Sequence, residues 1–432
     1  MSRVITRWLE RAPRGAFVLY AVVVAFATYF CMYAFRKPFA AGTFEGEFLG
    51  SGVALKTAFV ISQILGYTLS KYVGIKVVSE IERGRRAIAL VGLIVAAELA
   101  LLAFAILPGP WKALALFANG LPLGMIWGMV VRYLEGRRSS EILLAGLSTS
   151  FIVASGAVKD VGRWLISEFA VTESWMPFVT GALFLPGFLL AVWLLDRVPP
   201  PTEEDIAERV ERPPMNGAQR RAFLGRYAGG LALLFTVYFF LTAYRDFRDN
   251  YGVEIFTELG YGSEPAIFTQ TELPVAFIVL IALALLNLVK GNRMGLAGAY
   301  AIMITGAAML GGGTWLHERG AIDGATWMVL TGLGSYLVYV PYGSVLFDRL
   351  IASTGAAATA VFTIYVADAL GYTGSVGVQL YRDLAAGDAT RLVFFRGFTY
   401  VMSFGAVLLL AGSLVYFMRK TASAAPREGV ES

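Results

Sequence analysis

The chain has 432 residues, of which 57% are hydrophobic and 16% charged, with a net charge of +5 and a mean hydropathy of +0.64. About a quarter of the residues of a soluble domain are charged, so this composition excludes a soluble protein. The single cysteine, Cys31, excludes an internal disulfide. The positive residues cluster in loops on one side of the apolar segments, so we expect no nucleic-acid partner.

Twelve apolar segments of about 20 residues follow one another along the chain, each long enough to cross a bilayer as a helix. The predicted spans are 15–37, 52–73, 86–106, 111–133, 141–165, 175–196, 223–245, 264–289, 295–316, 324–347, 354–380 and 393–418. We therefore predict an all-α polytopic membrane protein with two pseudo-symmetric six-helix bundles.

A stretch rich in proline and charge separates the sixth span from the seventh. It predicts a cytoplasmic linker at 198–222, an N-terminal bundle at 1–197, a C-terminal bundle at 223–421 and a flexible tail at 422–432. Lysine and arginine are concentrated at the N-terminus, in the linker and in alternate short loops, which places both termini in the cytoplasm. This pattern fits a bacterial inner (plasma) membrane protein with its basic residues 1–14 on the cytoplasmic surface.

Two arginines occur inside apolar segments, one in each half of the chain: Arg36 and Arg245. A guanidinium in hydrocarbon costs about 3 kcal/mol or more unless it faces a polar cavity or a partner. Matching positions in two halves favour a pair that faces one central cavity and binds an anion, phosphate or carboxylate best. Two alternatives stay open: Arg36 snorkels at a helix end, or Arg245 pairs with the nearby Asp246 and Asp249.

A weak internal repeat supports the division into halves. The basic turn Arg83-Gly-Arg-Arg-Ala-Ile-Ala-Leu90 follows the second span, and Lys290-Gly-Asn-Arg-Met-Gly-Leu-Ala297 follows the eighth. Repeated helical halves with a binding site near the membrane midplane are typical of secondary transporters.

Four segments resemble the organophosphate:phosphate antiporters of the major facilitator superfamily. They are Tyr33-Ala-Phe-Arg-Lys-Pro-Phe39, Gly66-Tyr-Thr-Leu-Ser-Lys-Tyr-Val-Gly74, Glu272-Leu-Pro274 and the small-residue run from Gly355 to Gly374. The first segment is also similar to one in an uncharacterised bacterial membrane family of unknown function, and we expect the chain to be a divergent member of that group.

The resemblance implies roles for particular residues. Arg36 and Arg245 match the two arginines that bind the substrate anion, Lys71 matches a cavity lysine, and Glu272 matches an acidic residue with a coupling or gating role. The antiporters' fifth-helix histidine has no counterpart here, because Ser155 lies near its place. This departure leaves the organophosphate substrate open while keeping the preference for an anion.

Further charges within the spans have two interpretations each. Glu98 is isolated in its span, where desolvation alone would hold it protonated, or it relays protons. Asp368 balances the charge of an arginine or takes part in coupling. Lys159, Asp160 and Arg163 form a self-neutralising cluster near the extracellular mouth, or a second patch that attracts anions.

Tyrosines accompany these charges, and a hydroxyl on an apolar ring suits a cavity that holds a polar ligand. The set comprises Tyr29, Tyr33, Tyr67, Tyr244, Tyr336, Tyr339, Tyr342 and Tyr365. Because interfacial belts also collect tyrosine, only Tyr33 and Tyr67 are assigned to the substrate site.

The sequence thus favours a secondary active transporter that exchanges a small anion, first phosphate or a phosphorylated metabolite, by rocker-switch alternating access. Two alternatives remain: a transporter that couples a carboxylate or other anion to protons, and a membrane sensor that binds an anion without transporting it. No Walker motif, paired catalytic carboxylates or metal-ligand cluster occurs in the sequence, so we expect neither an enzyme nor a cofactor or metal. The expected partners are a small anionic solute and the lipid bilayer, with the chain acting as a monomer.

Overall fold

A computed structural model describes residues 2–137, 139–207, 215, 217–354, 358–387 and 389–423. Parts of three predicted segments lie outside the described residues: positions 208–214 and 216 of the linker, positions 355–357 of the small-residue run, and the tail from 424 onwards.

Helices dominate the described residues, and each of the twelve predicted spans contains one. They are α1 Ser2–Arg11, α2 Arg14–Tyr33, α3 Leu55–Glu80, α4 Arg86–Ile106, α5 Trp111–Leu134, α6 Ser140–Phe169, α7 Met176–Leu195, α8 Glu203–Ala207, α9 Gly217–Arg226, α10 Ala228–Asn250, α11 Gly252–Glu258, α12 Ile267–Asn287, α13 Asn292–Glu318, α14 Gly324–Pro341, α15 Phe347–Thr354, α16 Ala360–Leu384 and α17 Arg391–Ser423.

Ten helical segments among the described residues are long and apolar enough to cross a membrane. Helices α3 and α16 are the two long helices outside this set, and both carry several charged side chains, which lower mean hydropathy. Pro341 ends the regular part of α14, and one π-helical turn, Tyr342–Leu346, connects it to α15.

The described chain forms two compact units, and each contains segments from both halves of the sequence. The first unit comprises Met1–Arg209, Asp246–Phe277 and Val376–Phe394, and the second comprises Val210–Arg245, Ile278–Ser375 and Phe395–Ser432. Helices α10, α12, α16 and α17 therefore each contribute residues to both units.

Glycines bring α3 and α5 into close contact in the first unit. A Cβ on Gly66 would lie 2.1 Å from the carbonyl oxygen of Phe117, and one on Gly120 would lie 2.4 Å from that of Gln63. No side chain fits at these distances, so the two backbones approach each other directly. This packing fixes the two helices that carry Tyr67 and Asn119, which both contribute to the site described next.

Candidate functional site

Arg36 lies just after the last turn of α2, outside the regular helix. The helix ends at Tyr33, four residues before the predicted end of the span. The amides of Phe35 and Arg36 donate to the carbonyls three residues earlier, at 3.0 Å each, which tightens the chain into a turn. Pro38 then begins a short 3-10 helix, and the residue before a proline disfavours helical geometry.

Two buried amides hold this turn. Gln63 donates to the carbonyl of Arg36 at 2.9 Å and to Oδ1 of Asn119 at 2.8 Å. Asn119 donates to the carbonyls of Phe35 and Ala97, both at 3.0 Å. Asn119 is fully buried and Gln63 nearly so. The side-chain amides of Gln63 and Asn119 thus fix the backbone from which Arg36 extends. No sequence pattern predicts a role for either residue.

Four of the predicted substrate-binding residues lie around one ring in the first unit. The guanidinium carbon of Arg36 lies 3.9 Å from the centre of the Tyr67 ring and 5.9 Å from that of Tyr33. Lys71, one helical turn after Tyr67, places its ammonium 5.6 Å from the same ring. The structure therefore brings Tyr33 and Arg36, at the end of α2, together with Tyr67 and Lys71 of α3, 31 positions further along the chain from Arg36 to Tyr67.

Arg245 has a similar environment in the second unit. Its guanidinium carbon lies 3.7 Å from the centre of the Tyr339 ring and 4.7 Å from that of Tyr336. Both tyrosines lie on α14, three residues apart and so on one helix face. Neither tyrosine belongs to the substrate site predicted from the sequence, although their spacing of three residues on one helix is a usable signal.

Asp368 is connected to Arg245 through the rings of the second unit. Its carboxylate accepts a hydrogen bond of 2.7 Å from the hydroxyl of Tyr238. The ring of Tyr238 stacks on Tyr339 with 5.4 Å between centres. The carboxylate thus fixes one neighbour of the tyrosine against which Arg245 packs.

Glu272 forms an ion pair with Arg248 in the first unit, with 2.5 Å between Oε1 and the guanidinium nitrogen. Both side chains are buried. Glu272 also packs against α6, because a Cβ on Gly156 would lie 3.2 Å from its Cγ. The cation that pairs with Glu272 is therefore Arg248, three residues after Arg245.

Glu98 is the exception among the membrane carboxylates. It is buried between α4 and α7, and a Cβ on Gly181 would lie 2.1 Å from its Oε2. Neither carboxylate oxygen has a hydrogen-bond partner among the described residues. Burying an ionised carboxylate without a hydrogen-bond partner costs roughly several kcal/mol of desolvation free energy. This environment therefore favours the neutral acid.

Asp249 joins two lysines in the first unit. Its Oδ2 lies 2.5 Å from Nζ of Lys37, and its Oδ1 lies 2.7 Å from Nζ of Lys159. Ser155 donates a further hydrogen bond to Oδ1. A second ion pair, between the buried Lys56 and the half-buried Glu254, has a separation of 2.7 Å. These contacts connect the chain around the end of α10 to the turn after α2, to α3 and to α6.

Asp160 and Arg163 of α6 also have partners outside α6. Asp160 accepts from the amides of Phe268 and Thr269 at 3.3 and 2.7 Å, so it caps the start of α12. Arg163 donates to the carbonyls of Gly262 and Glu264. These contacts and the Lys159–Asp249 ion pair hold α6 against the segment 249–269.

Solved structures of transporters share the fold of the chain. A D-xylose-proton symporter aligns with a TM-score of 0.60 and 13% identity over 93% of this chain and 97% of that one. The nucleoside transporter NupG aligns with a TM-score of 0.57 and 12% identity over 93% and 99%. A POT family transporter in complex with a thioalcohol-conjugated peptide aligns with a TM-score of 0.57 and 13% identity over 95% and 97%.

The predicted all-α major facilitator fold is confirmed by these alignments, and at such low identity they show the fold alone. The model of a family of unknown function, DUF5690, matches residues 38–420. No curated protein matches the chain. The matched range contains Tyr67, Lys71 and Arg245, and it begins two residues after Arg36.

Proposed function

The chain belongs to DUF5690, a family of unknown function, and from its site we propose a secondary active transporter of a small anion, first phosphate or a phosphorylated metabolite. The multi-pass helical chain and its transporter neighbours support the transporter class. The anion rests on one observation: each unit holds an arginine against the face of a tyrosine, Arg36 on Tyr67 and Arg245 on Tyr339.

Stacking on a ring suits an arginine that binds an anion. The ring face stabilises the guanidinium by about 0.5–2 kcal/mol and restricts its rotation, while the N–H groups point outward in its plane. A phosphate or carboxylate meets that edge bidentately. The ammonium of Lys71, on the same ring as Arg36, adds a second cation in the first unit. Two cations on one ring favour a phosphate dianion over a singly charged solute.

Alternating access follows from the charge of these residues. Cations in a low-dielectric site repel one another until an anion binds and offsets their charge. An empty carrier therefore resists the conformational change of alternating access, whereas a carrier with bound anion does not. That asymmetry is what an exchanger requires. We propose that both guanidiniums contribute to binding of the transported anion and that rocker-switch motion exchanges it across the membrane.

The test is counterflow of labelled phosphate in proteoliposomes. Arg36→Lys and Arg245→Lys keep the charge but lose the fork, and each should reduce exchange by roughly tenfold or more, since bidentate hydrogen bonding is lost. Arg319→Lys is the matched control, because Arg319 also stacks on a ring, that of Trp315 at 4.1 Å, at the exposed end of α13. Saturable phosphate binding without exchange would instead favour a sensor.

Glu98 supports a second candidate, proton-coupled transport of a carboxylate or other anion. Glu272 is ion-paired and Asp368 accepts from Tyr238, whereas both oxygens of Glu98 lack a hydrogen-bond partner among the described residues. Such a group changes protonation without breaking an ion pair. This candidate predicts uptake driven by a pH gradient and lost in Glu98→Gln. Uptake that ignores the gradient, with phosphate exchange intact, would exclude it.

We also propose, from the distribution of lysine and arginine, a bacterial inner membrane location with both termini cytoplasmic and a monomeric transport unit. Reporter fusions after Ser423 and in the linker should report the cytoplasmic side. A fusion at Gly109, between α4 and α5, should report the opposite side.

A further inference from the structure

The cluster around Asp249 is not used by the proposed function and has the composition of an anion site. Three donors surround one carboxylate: the ammonium groups of Lys37 and Lys159 and the hydroxyl of Ser155. Lys159 donates in addition to the carbonyl of Asp249 at 2.9 Å. Only 5% of Lys37, 3% of Lys159 and 4% of Ser155 is exposed, so the donors are shielded from water.

The donors and the acceptor come from different halves of the sequence. Lys37 follows α2, and Ser155 and Lys159 lie one turn apart on α6, whereas Asp249 lies on the last turn of α10. Two lysines and a serine from the first six spans therefore donate to one carboxylate from the second six spans.

Further polar and charged groups lie around these donors, and Asp160 and Asp246 act electrostatically on Lys159 and Lys37 respectively. Asn250 accepts from Lys37 at 3.0 Å, and Asp160, on the same helix as Lys159, caps α12. Glu272 pairs with Arg248, and Lys56 with Glu254. Asp246 and Arg36 act on Lys37 electrostatically with opposite signs. Asp249 is the carboxylate in direct contact with both ammonium groups, and its loss would break two buried ion pairs, which is strongly unfavourable.

We propose that Lys37, Lys159 and Ser155 form a second anion site, which binds an oxyanion of the transported substrate whenever the end of α10 has moved away, and that the Asp249 carboxylate occupies it in the present conformation. This proposal rests on the proposed transport function and deepens it. Alternating access moves parts of the two halves apart, and the anion then replaces Asp249 as the counter-ion of the lysines. By the lysine and arginine distribution this site opens to the extracellular side.

The exchange of one carboxylate for another oxyanion has a consequence for rates. An incoming anion that replaces Asp249 lowers the cost of separating α10 from α6, so substrate itself promotes opening on that side. The internal carboxylate competes with the substrate, and its removal should raise the apparent affinity, since a competent site is then always populated.

The first experiment titrates the purified full chain in detergent micelles with inorganic phosphate at constant ionic strength, balanced with sodium chloride, and records the unfolding temperature. Asp249→Asn should be stabilised at roughly tenfold lower phosphate than the parent, because the competing carboxylate is gone. Adding Lys159→Gln should abolish that gain, and adding Arg36→Gln should leave it intact. Two results would contradict the proposal: the increased sensitivity of Asp249→Asn to phosphate persists when Lys159→Gln is added, or it is lost when Arg36→Gln is added. The second result would assign the phosphate effect to the Arg36 site instead.

A second experiment uses only single lysine variants, in case Asp249→Asn fails to fold. Phosphate KM is measured in right-side-out and inside-out membrane vesicles for Lys159→Gln and Lys159→Arg. We expect the KM to rise several-fold from the extracellular side alone, with Lys159→Arg restoring it. Equal changes from both sides would reduce Lys159 to a structural role. If the parent protein exchanges no phosphate, the proposed function as a phosphate transporter is wrong. The stabilisation of Asp249→Asn by phosphate then still shows whether the second anion site exists.

Discussion

Gln63 and Asn119 are 56 residues apart and share a buried hydrogen bond of 2.8 Å at the place where α2 ends. Their remaining N–H groups go to the carbonyls of Phe35, Arg36 and Ala97. The carbonyl groups of Phe35 and Arg36 follow the end of α2, where carbonyls have no hydrogen-bond partner within the helix. The two amides therefore determine where α2 stops and how Arg36 is presented.

Asn119→Leu should lower both stability and substrate affinity. It leaves two buried carbonyls and the amide of Gln63 short of partners, at a cost of about 1–3 kcal/mol each. We expect a lower unfolding temperature and a higher KM for phosphate counterflow. Ser413→Ala is the control, because Ser413 bonds Tyr300 at 2.7 Å in the buried core of the second unit. If Asn119→Leu lost stability with an unchanged KM, the hydrogen-bond network would not position Arg36 for substrate binding.

The ring under Arg36 should matter more than its hydroxyl. Tyr67→Leu removes a cation–π contact of about 0.5–2 kcal/mol and should raise the phosphate KM by roughly 2- to 30-fold. Tyr67→Phe keeps the ring face and should stay within about twofold of the parent. The same comparison applies to Tyr339 beneath Arg245. If the Phe variants were as impaired as the Leu variants, the hydroxyl would be the functional group.

Gly66→Ala tests the close packing of α3 on α5. The new Cβ would lie 2.1 Å from a backbone oxygen, so the helices must separate, and we expect a large fall in unfolding temperature or no folded protein. A Cβ on Gly92 of α4 would meet no heavy atom within 4 Å, which makes Gly92→Ala the matched control. Gly92→Ala should be neutral or stabilising, since alanine favours helix. Equal effects of the two substitutions would contradict this packing.

Asp323 should make stability depend on pH at the start of α14. The backbone and side-chain hydrogen bonds of Thr326, including an N–H bond of 2.7 Å, lower the pKa of Asp323 below its ordinary value. A lowered folded-state pKa gives stability that is complete above the unfolded pKa of about 3.9 and is lost as the pH falls through the folded pKa.

Asp323→Asn keeps an N-cap acceptor without this titration, so its unfolding temperature should fall less than that of the parent below about pH 4. Asp323→Ala should cost about 1 kcal/mol at neutral pH. Parallel pH profiles for parent and Asp323→Asn would show that this cap does not contribute to acid sensitivity.

The sequence was sufficient for the fold because hydropathy records each membrane helix locally. It also assigned Tyr67 and Lys71 to one site, and the structure places them together because residues four apart share a helix face. It placed Arg36 within a span, whereas α2 ends at Tyr33, because the capping amides come from α3 and α5. The partners of Asp249 were beyond its reach for the same reason: Lys37 precedes Asp249 by 212 positions, and no local pattern records such a pair.

The most direct test of the central claim is a double-mutant cycle on phosphate counterflow with Arg36→Lys, Arg245→Lys and the combined variant. If both guanidiniums bind the same transported anion, the two effects are non-additive, with a coupling of about 1 kcal/mol or more in kcat/KM. Additive effects in a correctly folded double variant, or full exchange in either single variant, would contradict the account.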